Sequence, residues 1–179
     1  MEIVYTVKET TVPAGYTASV DGFTITNTHE VEKTEITVNK VWVDANNQDG
    51  MRPESVTVNL YANGEKIATV TLDAGTNWSY TWTGLNKNAN GQPIEYTVDE
   101  VAVEGYTTSI DGFTITNTHK VEKTHISVSK QWQDEDNQDG KRPESLTVTL
   151  SDGTEVTLNE ENDWTATVED LPKYDNGQE

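Results

Sequence analysis

The chain repeats itself at a spacing of 90 residues, and that spacing limits what it can fold into. FTITNTH stands at Phe23–His29 and again at Phe113–His119, VEKT at Val31–Thr34 and Val121–Thr124, and RPES at Arg52–Ser55 and Arg142–Ser145. A period of this length means one small domain per repeat, too long for the unit of a solenoid. The segments between turn signals alternate apolar and polar residues and are rich in Val, Thr and Tyr, the pattern of half-buried strands. The expectation is an all-β chain of small sandwich repeats in tandem. Strands are expected near 36–43, 55–62, 66–72, 78–83, 94–101 and 111–118, with no helix. Asn63-Gly64, Asn90-Gly91 and Asn176-Gly177 read as turns. Val56, Val58 and Leu60 share one face, as do Trp78, Tyr80 and Trp82, and both sets are expected to fill the core.

The phase of the repeat is unusual. Residues 35–119 make one complete copy, residues 1–34 match only the end of a copy, and residues 120–179 match only its beginning. Tyr5–Tyr16 corresponds to Tyr96–Tyr106, and Asp175–Glu179 corresponds to Ala89–Pro93, so the two chain ends abut within one copy. One repeat is therefore intact and one is split between the ends, as in a circular permutation. The chain reads as an engineered excision, with Met1 leading directly into a strand-like segment.

Composition narrows the function classes. A net charge of −19 argues against nucleic acid, which needs a basic footprint. There is no cysteine, which excludes disulfides and thiolate metal sites. No apolar run is long enough to suggest a membrane span. No cofactor and no metal site are expected. Asp44-x-Asn46-x-Gln48 and Asp134-x-Asp136-x-Gln138 read as polar turns rather than calcium loops, because the sixth and twelfth positions do not fit. His29, His119 and His125 flank the junctions without metal-ligand companions and read as solvated. No arrangement suggests an enzyme that turns over.

Strand parity exposes three residues of the wrong kind. Ile36, Val38, Lys40 and Trp42 share a face, so a lysine occupies a core position, and Ile126, Val128, Lys130 and Trp132 repeat the pattern. Tyr96, Val98 and Glu100 share a face, as do Phe113, Ile115 and Asn117; Tyr5, Val7, Glu9 and Phe23, Ile25, Asn27 repeat them. Each repeat thus directs one Lys, one Glu and one Asn inward from three strands. Taken alone, such a set fits either a buried Lys–Glu ion pair capped by Asn or a reactive site.

Several motifs at fixed spacing carry a family resemblance. The K-x-W first strand, the Y-x-x-x-E-x-x-x-P-x-G-Y box at Tyr5–Tyr16, the terminal TITN and the NQDG-x-RPE runs at Asn47–Glu54 and Asn137–Glu144 together resemble the Cna B-type repeats of Gram-positive surface adhesins and pili. The second box, VAVEGY, departs by lacking the proline and is one residue shorter, which leaves Glu100 in place. The resemblance implies Ig-like, prealbumin-like sandwiches serving as stalk or spacer domains outside the cell, at the bacterial wall. It also implies a spontaneous Lys–Asn isopeptide bond in each domain: Lys40–Asn117 with Glu100 as acid/base, and Lys130–Asn27 with Glu9 as acid/base. Burial disfavours the charged forms of an amine and a carboxylic acid, which suits a neutral nucleophile beside a proton donor.

Because Glu9 and Asn27 lie at the front and Lys130 at the back, the second bond is expected between neighbouring molecules, giving a covalent head-to-tail homopolymer. A self-closed monomer or ring is the alternative outcome. The alternative function is a ligand-binding adhesin module for matrix protein or carbohydrate. On the stalk reading, host matrix is bound by other domains of the parent adhesin.

Overall fold

The structure, a computed structural model, describes residues 1–178. The hairpin β1 (Thr17–Asp21) and β2 (Thr24–Thr28) comes first. There follow β3 (Lys33–Val43), β4 (Ser55–Ala62), β5 (Glu65–Asp73), β6 (Ser79–Asn86) and the short pair β7 (Asn88–Ala89) and β8 (Gln92–Pro93). Then come β9 (Tyr96–Glu100), β10 (Thr107–Asp111) and β11 (Thr114–Thr118). The last stretch holds β12 (Lys123–Ser129), β13 (Ser145–Thr149), β14 (Glu155–Asn159), a 3-10 turn at Glu160–Asn162, and β15 (Thr165–Pro172). Apart from that turn, the secondary structure of the described residues is all β, as the alternation predicts.

Two compact units form. The first comprises Met1–Lys40, Ser55–Val101 and Ile110–Ile115; the second comprises Val41–Glu54, Ala102–Ser109 and Thr116–Glu179. Strands β3, β10 and β11 run from one into the other.

In the first unit β4 pairs antiparallel with both β5 and β9. Another sheet has the order β10-β11-β3-β6. Apolar residues of both sheets, Val38, Val56, Val58, Leu60, Leu72, Trp82, Val98 and Ile115, are buried together as a sandwich core. Along β3 the pleat decides burial: Val38 and Lys40 are buried, whereas Thr37, Asn39 and Val41 are exposed. The turn between β4 and β5 is Asn63-Gly64, with φ of 49° and 83°, the mirror-image geometry that matches strand twist in a two-residue hairpin.

Two expectations need correction. Tyr80 stands on the core side opposite Val38 but is 42% exposed, whereas Trp82, on the same face of the edge strand β6, is buried. The strand expected at 111–118 holds only from Thr114, because Asp111 ends β10 and Gly112-Phe113 reverses the chain, with Gly112 at φ of 56°. The TITN strand is β11.

β3 and β11 run parallel. Asn39 N–H donates to Phe113 O at 3.0 Å, and His119 N–H donates to Val43 O at 2.9 Å, so residue numbers rise together along the pair.

In the second unit β12 pairs with β15 and β13 with β14, both antiparallel. The β12–β15 ladder has a bulge between Thr124 and Ile126, the counterpart of the one between Thr34 and Ile36 in β3–β6. Leu158 and Trp164 are buried here. Elsewhere the inner face is thinly covered, with Ile126 45% exposed. The β1–β2 hairpin of the first unit is exposed along its whole length.

Candidate functional site: a buried lysine and carboxyl pair

Lys40 is held in its core position by the strand itself. Its backbone N–H donates to Trp78 O at 2.8 Å, which fixes the pleat and turns the side chain inward after Val38. Glu100 ends β9 and stands opposite Val58 of β4. Lys40 Nζ lies 3.5 Å from Glu100 Oε1, and both side chains are fully enclosed. The pair therefore bridges the two sheets of the sandwich. Asn117 on β11 is fully buried too. Within the first unit Lys40 stands opposite Ile115, and within the second Trp42 stands opposite Asn117. Desolvating two charges costs several kcal/mol per ion, so an amine and a carboxyl group enclosed together must either pair or react.

The split set is only half assembled. Asn27 Nδ2 donates to Glu9 Oε1 at 3.0 Å, so the front piece brings these two residues together. Glu9 Oε2 is buried with no hydrogen-bond partner among the described residues. Lys130 belongs to the second unit, where it is exposed, with Nζ 4.7 Å from the Trp132 ring centroid. Its backbone nevertheless repeats that of Lys40, donating to Trp164 O at 2.9 Å.

The polar turn after β3 has a definite job. Arg52 donates to Asp44 from Nε at 2.9 Å and from Nη2 at 2.6 Å, Tyr106 OH donates to Asp44 at 2.9 Å, and the guanidinium lies 5.5 Å from the Trp42 centroid. Burial alone would raise the Asp44 carboxyl, but the bonds from Arg52, the Asn47 N–H and Tyr106 outweigh it and hold the group below its ordinary range. Arg142 and Asp134 repeat the clamp at 3.1 and 2.7 Å. In both turns the aspartate holds the arginine guanidinium.

His119 departs from the solvated state expected of it. Nδ1 is 2.7 Å from Gly105 O and Nε2 is 2.9 Å from Asp49 Oδ2, with the side chain 15% exposed. A carbonyl and a carboxylate both demand donors, so this geometry fits the imidazolium. Asp49 also accepts the Glu122 N–H at 2.8 Å, and Gln48 Nε2 donates to Glu122 O at 3.2 Å. The joint recurrence of NQDG and H-x-x-E at the repeat spacing was the available signal. His29 and His125 are exposed, in line with the expectation, though His29 keeps a 2.7 Å bond with Gly15 O.

The family described as the Cna protein B-type domain matches residues 1–28, 36–118 and 126–179. The chain belongs to this family. The collagen adhesin of Staphylococcus aureus is 46% identical over 177 residues, spanning 96% of this chain and 15% of that protein. The chain thus spans about 15% of the length of that curated relative. A crystal structure of two B repeat units of the S. aureus collagen-binding protein aligns with a TM-score of 0.61 at 44% identity, over 96% of this chain and 49% of that one. A crystal structure of a single B repeat unit of the same protein aligns at 46% identity and a TM-score of 0.49, covering 83% and 82% of the two chains. The tandem B-type β-sandwich is accordingly the fold of this chain.

Proposed function

We propose that this chain is a length of surface-adhesin stalk whose full repeat, residues 35–119, is locked by an amide bond between Lys40 and Asn117. The observation that carries the reading is the enclosed Lys40–Glu100 pair at 3.5 Å, with a buried asparagine on the strand beside the lysine. The neutral Nζ attacks Cγ of Asn117, the new C–N bond forms, and the Cγ–Nδ2 bond breaks. Glu100 passes the proton from the amine to the departing nitrogen, which leaves as ammonia, and Glu100 ends as it began. Enclosure keeps out water that would compete for the carbonyl. Each domain reacts once, on itself, and is not an enzyme in the turnover sense.

The parallel pairing of β3 and β11 supports a mechanical purpose. A cross-link between parallel first and last strands lies across the load path when the two ends are pulled apart. By the loop-entropy account, closing a loop of this length stabilises by about 4–5 kcal/mol. It fills the place of a disulfide in a chain without cysteine. The family supports a location outside the cell at the wall of a Gram-positive bacterium, and the name of the collagen adhesin supports host-matrix binding by other parts of a parent protein.

Residues 1–34 and 120–179 carry complementary parts of a second domain. We assign Lys130 to bond with Asn27 of a neighbouring molecule, with Glu9 moving the proton, which makes a head-to-tail covalent polymer. The buried, unpartnered Glu9 Oε2 and the exposed Lys130 support this pairing. A boiled denaturing gel with intact mass tests both bonds. A multimer ladder abolished by Lys130→Ala, with one ammonia missing from the residual monomer, is expected. An unmodified monomer mass would overturn both assignments. A monomer lacking two ammonias would mean that the chain closes on itself.

A further inference from the structure

The contact around Asp49 is a docking unit with two sides. One side is the loop Asn47–Gly50. The other is the start of the following repeat, where Glu122 is fixed by Lys173, whose Nζ is 2.7 Å from Glu122 Oε2 and whose N–H donates to Glu122 O at 3.3 Å. The loop reaches that surface at three points. Asp49 takes the His119 imidazole and the Glu122 N–H, Gln48 O accepts the Gly177 N–H at 3.0 Å, and Gly50 packs against Gly177. A Cβ on Gly50 would come within 2.7 Å of Gly177 Cα, so the closeness depends on glycine at the loop tip.

Each side exists a second time, and among the described residues neither second copy meets such a partner. The first unit carries the receiving surface: His29 bonded to Gly15 O as His119 is to Gly105 O, Glu32 fixed by Lys87 at 3.1 Å with Lys87 N–H donating to Glu32 O at 3.0 Å, and Gly91 at an Asn-Gly turn. A recess of about 580 Å³ opens among His29, Glu32, Asn88 and Gly91. The second unit carries the loop: Asn137–Gly140, braced as the first copy is by Arg142 N–H donating to Asn137 Oδ1 at 2.9 Å. Asp139 is exposed, and no other group lies within 4 Å of where a Cβ on Gly140 or Gly91 would stand.

We propose that the recess at His29, Glu32 and Gly91 is a docking site for an Asn-Gln-Asp-Gly loop, and that its partner is the Asn137–Gly140 loop of a second copy of this chain. Asp139 accepts from His29 Nε2 and from the Glu32 N–H, and Gly140 lies against Gly91. This contact is polar and reversible. It goes beyond the Lys130–Asn27 bond, does not require it, and would hold two copies in register before any bond forms.

Sedimentation of the full-length Lys130→Ala chain tests it, because that substitution removes the covalent step and leaves every docking residue. The expected result is reversible self-association, weakened about tenfold by Asp139→Ala or by His29→Ala, with the double variant no weaker than either single one. Asp139→Asn should fall between. Additive losses, or no loss, would overturn the proposed contact, as would a Lys130→Ala chain that remains monomeric. Absence of boiling-resistant multimers from the unsubstituted chain, with association still sensitive to Asp139, would overturn only the covalent reading.

Discussion

Asp49 Oδ2 lies 2.9 Å from His119 Nε2, and the same imidazole reaches Gly105 O through Nδ1 at 2.7 Å. Both ring nitrogens therefore serve as donors, and the contact has a pH window. His119 is raised above its ordinary value first by the bond to Gly105 O and then by the bond to Asp49, against a smaller opposing effect of burial. The charged groups around it are Asp49 and Asp44, and the Tyr106 ring stands 5.4 Å away. For Asp49, burial would raise the carboxyl, but the Glu122 N–H, His119 and Gln48 together bring it below its ordinary value.

The signs follow from linkage. The histidine contribution is complete below its unfolded pKa of about 6.5 and disappears as pH rises through the higher folded value. The aspartate contribution is present above an unfolded pKa of about 3.9 and disappears as pH falls through the lower folded value. The contact is therefore strongest in mildly acidic solution. An NMR titration should show His119 titrating above an ordinary histidine and moving down in Asp49→Asn. An unchanged midpoint in that variant would refute the contact.

Glu100→Gln separates packing from chemistry. The amide keeps the shape of the side chain but cannot carry the proton between Lys40 and Asn117. The variant should fold, and its intact mass should retain the ammonia that the unsubstituted domain loses. Loss of ammonia at an undiminished rate would remove Glu100 from the mechanism.

Lys40→Ala should be costly in a different way. It takes Lys40 from the enclosed Glu100 carboxyl group and removes the proposed cross-link, which alone is worth about 4–5 kcal/mol. Lys40→Met restores the apolar stem and should recover part of that loss. Thermal melting of the two variants beside the unsubstituted chain measures the difference, and equal melting temperatures for Ala and Met would refute the packing argument.

The two arginine clamps should not be equivalent. Asp44 is 1% exposed beside Arg52, whereas Asp134 is 30% exposed beside Arg142. Arg52→Ala takes the charged partner from a buried carboxylate that then keeps the Tyr106 hydroxyl and the Asn47 N–H, for an expected loss of about 1.5–3 kcal/mol. Arg142→Ala should cost clearly less, because water already reaches its partner. Urea denaturation of both variants provides the comparison, and a larger loss for Arg142→Ala would contradict it.

Hydrogen exchange should rank the strands by enclosure. Amides of Thr17–Thr28 lie in an exposed two-stranded hairpin and should exchange quickly, while those around Val38 and Ile115 should be the slowest. If copies pair head to tail, Val20, Ile25 and Asn27 should gain protection on multimerisation. Fast exchange there in isolated multimers would mean that the hairpin is not taken up by a partner.

Residue order alone was enough for the all-β fold, the repeat spacing and the inward-facing polar residues of the intact repeat; in the split repeat Asn27 and Lys130, expected inward, are exposed. A strand has a side-chain period of two, so Lys40, Glu100 and Asn117 could be placed on core faces from residue order alone. Asn63-Gly64 was equally legible, because two positive φ values in succession leave few other residues. What those residues meet depends on how the folded strands come together. The Lys40–Glu100 distance depends on how two sheets stack, and Tyr80 is half open while Trp82, on the same face of β6, is buried. The Asp49–His119–Glu122 contact joins residues some 70 positions apart. A histidine flanked by loop residues looks solvated until a folded backbone brings a carboxylate to it, since local pattern encodes the facing of a side chain but not its distant neighbour.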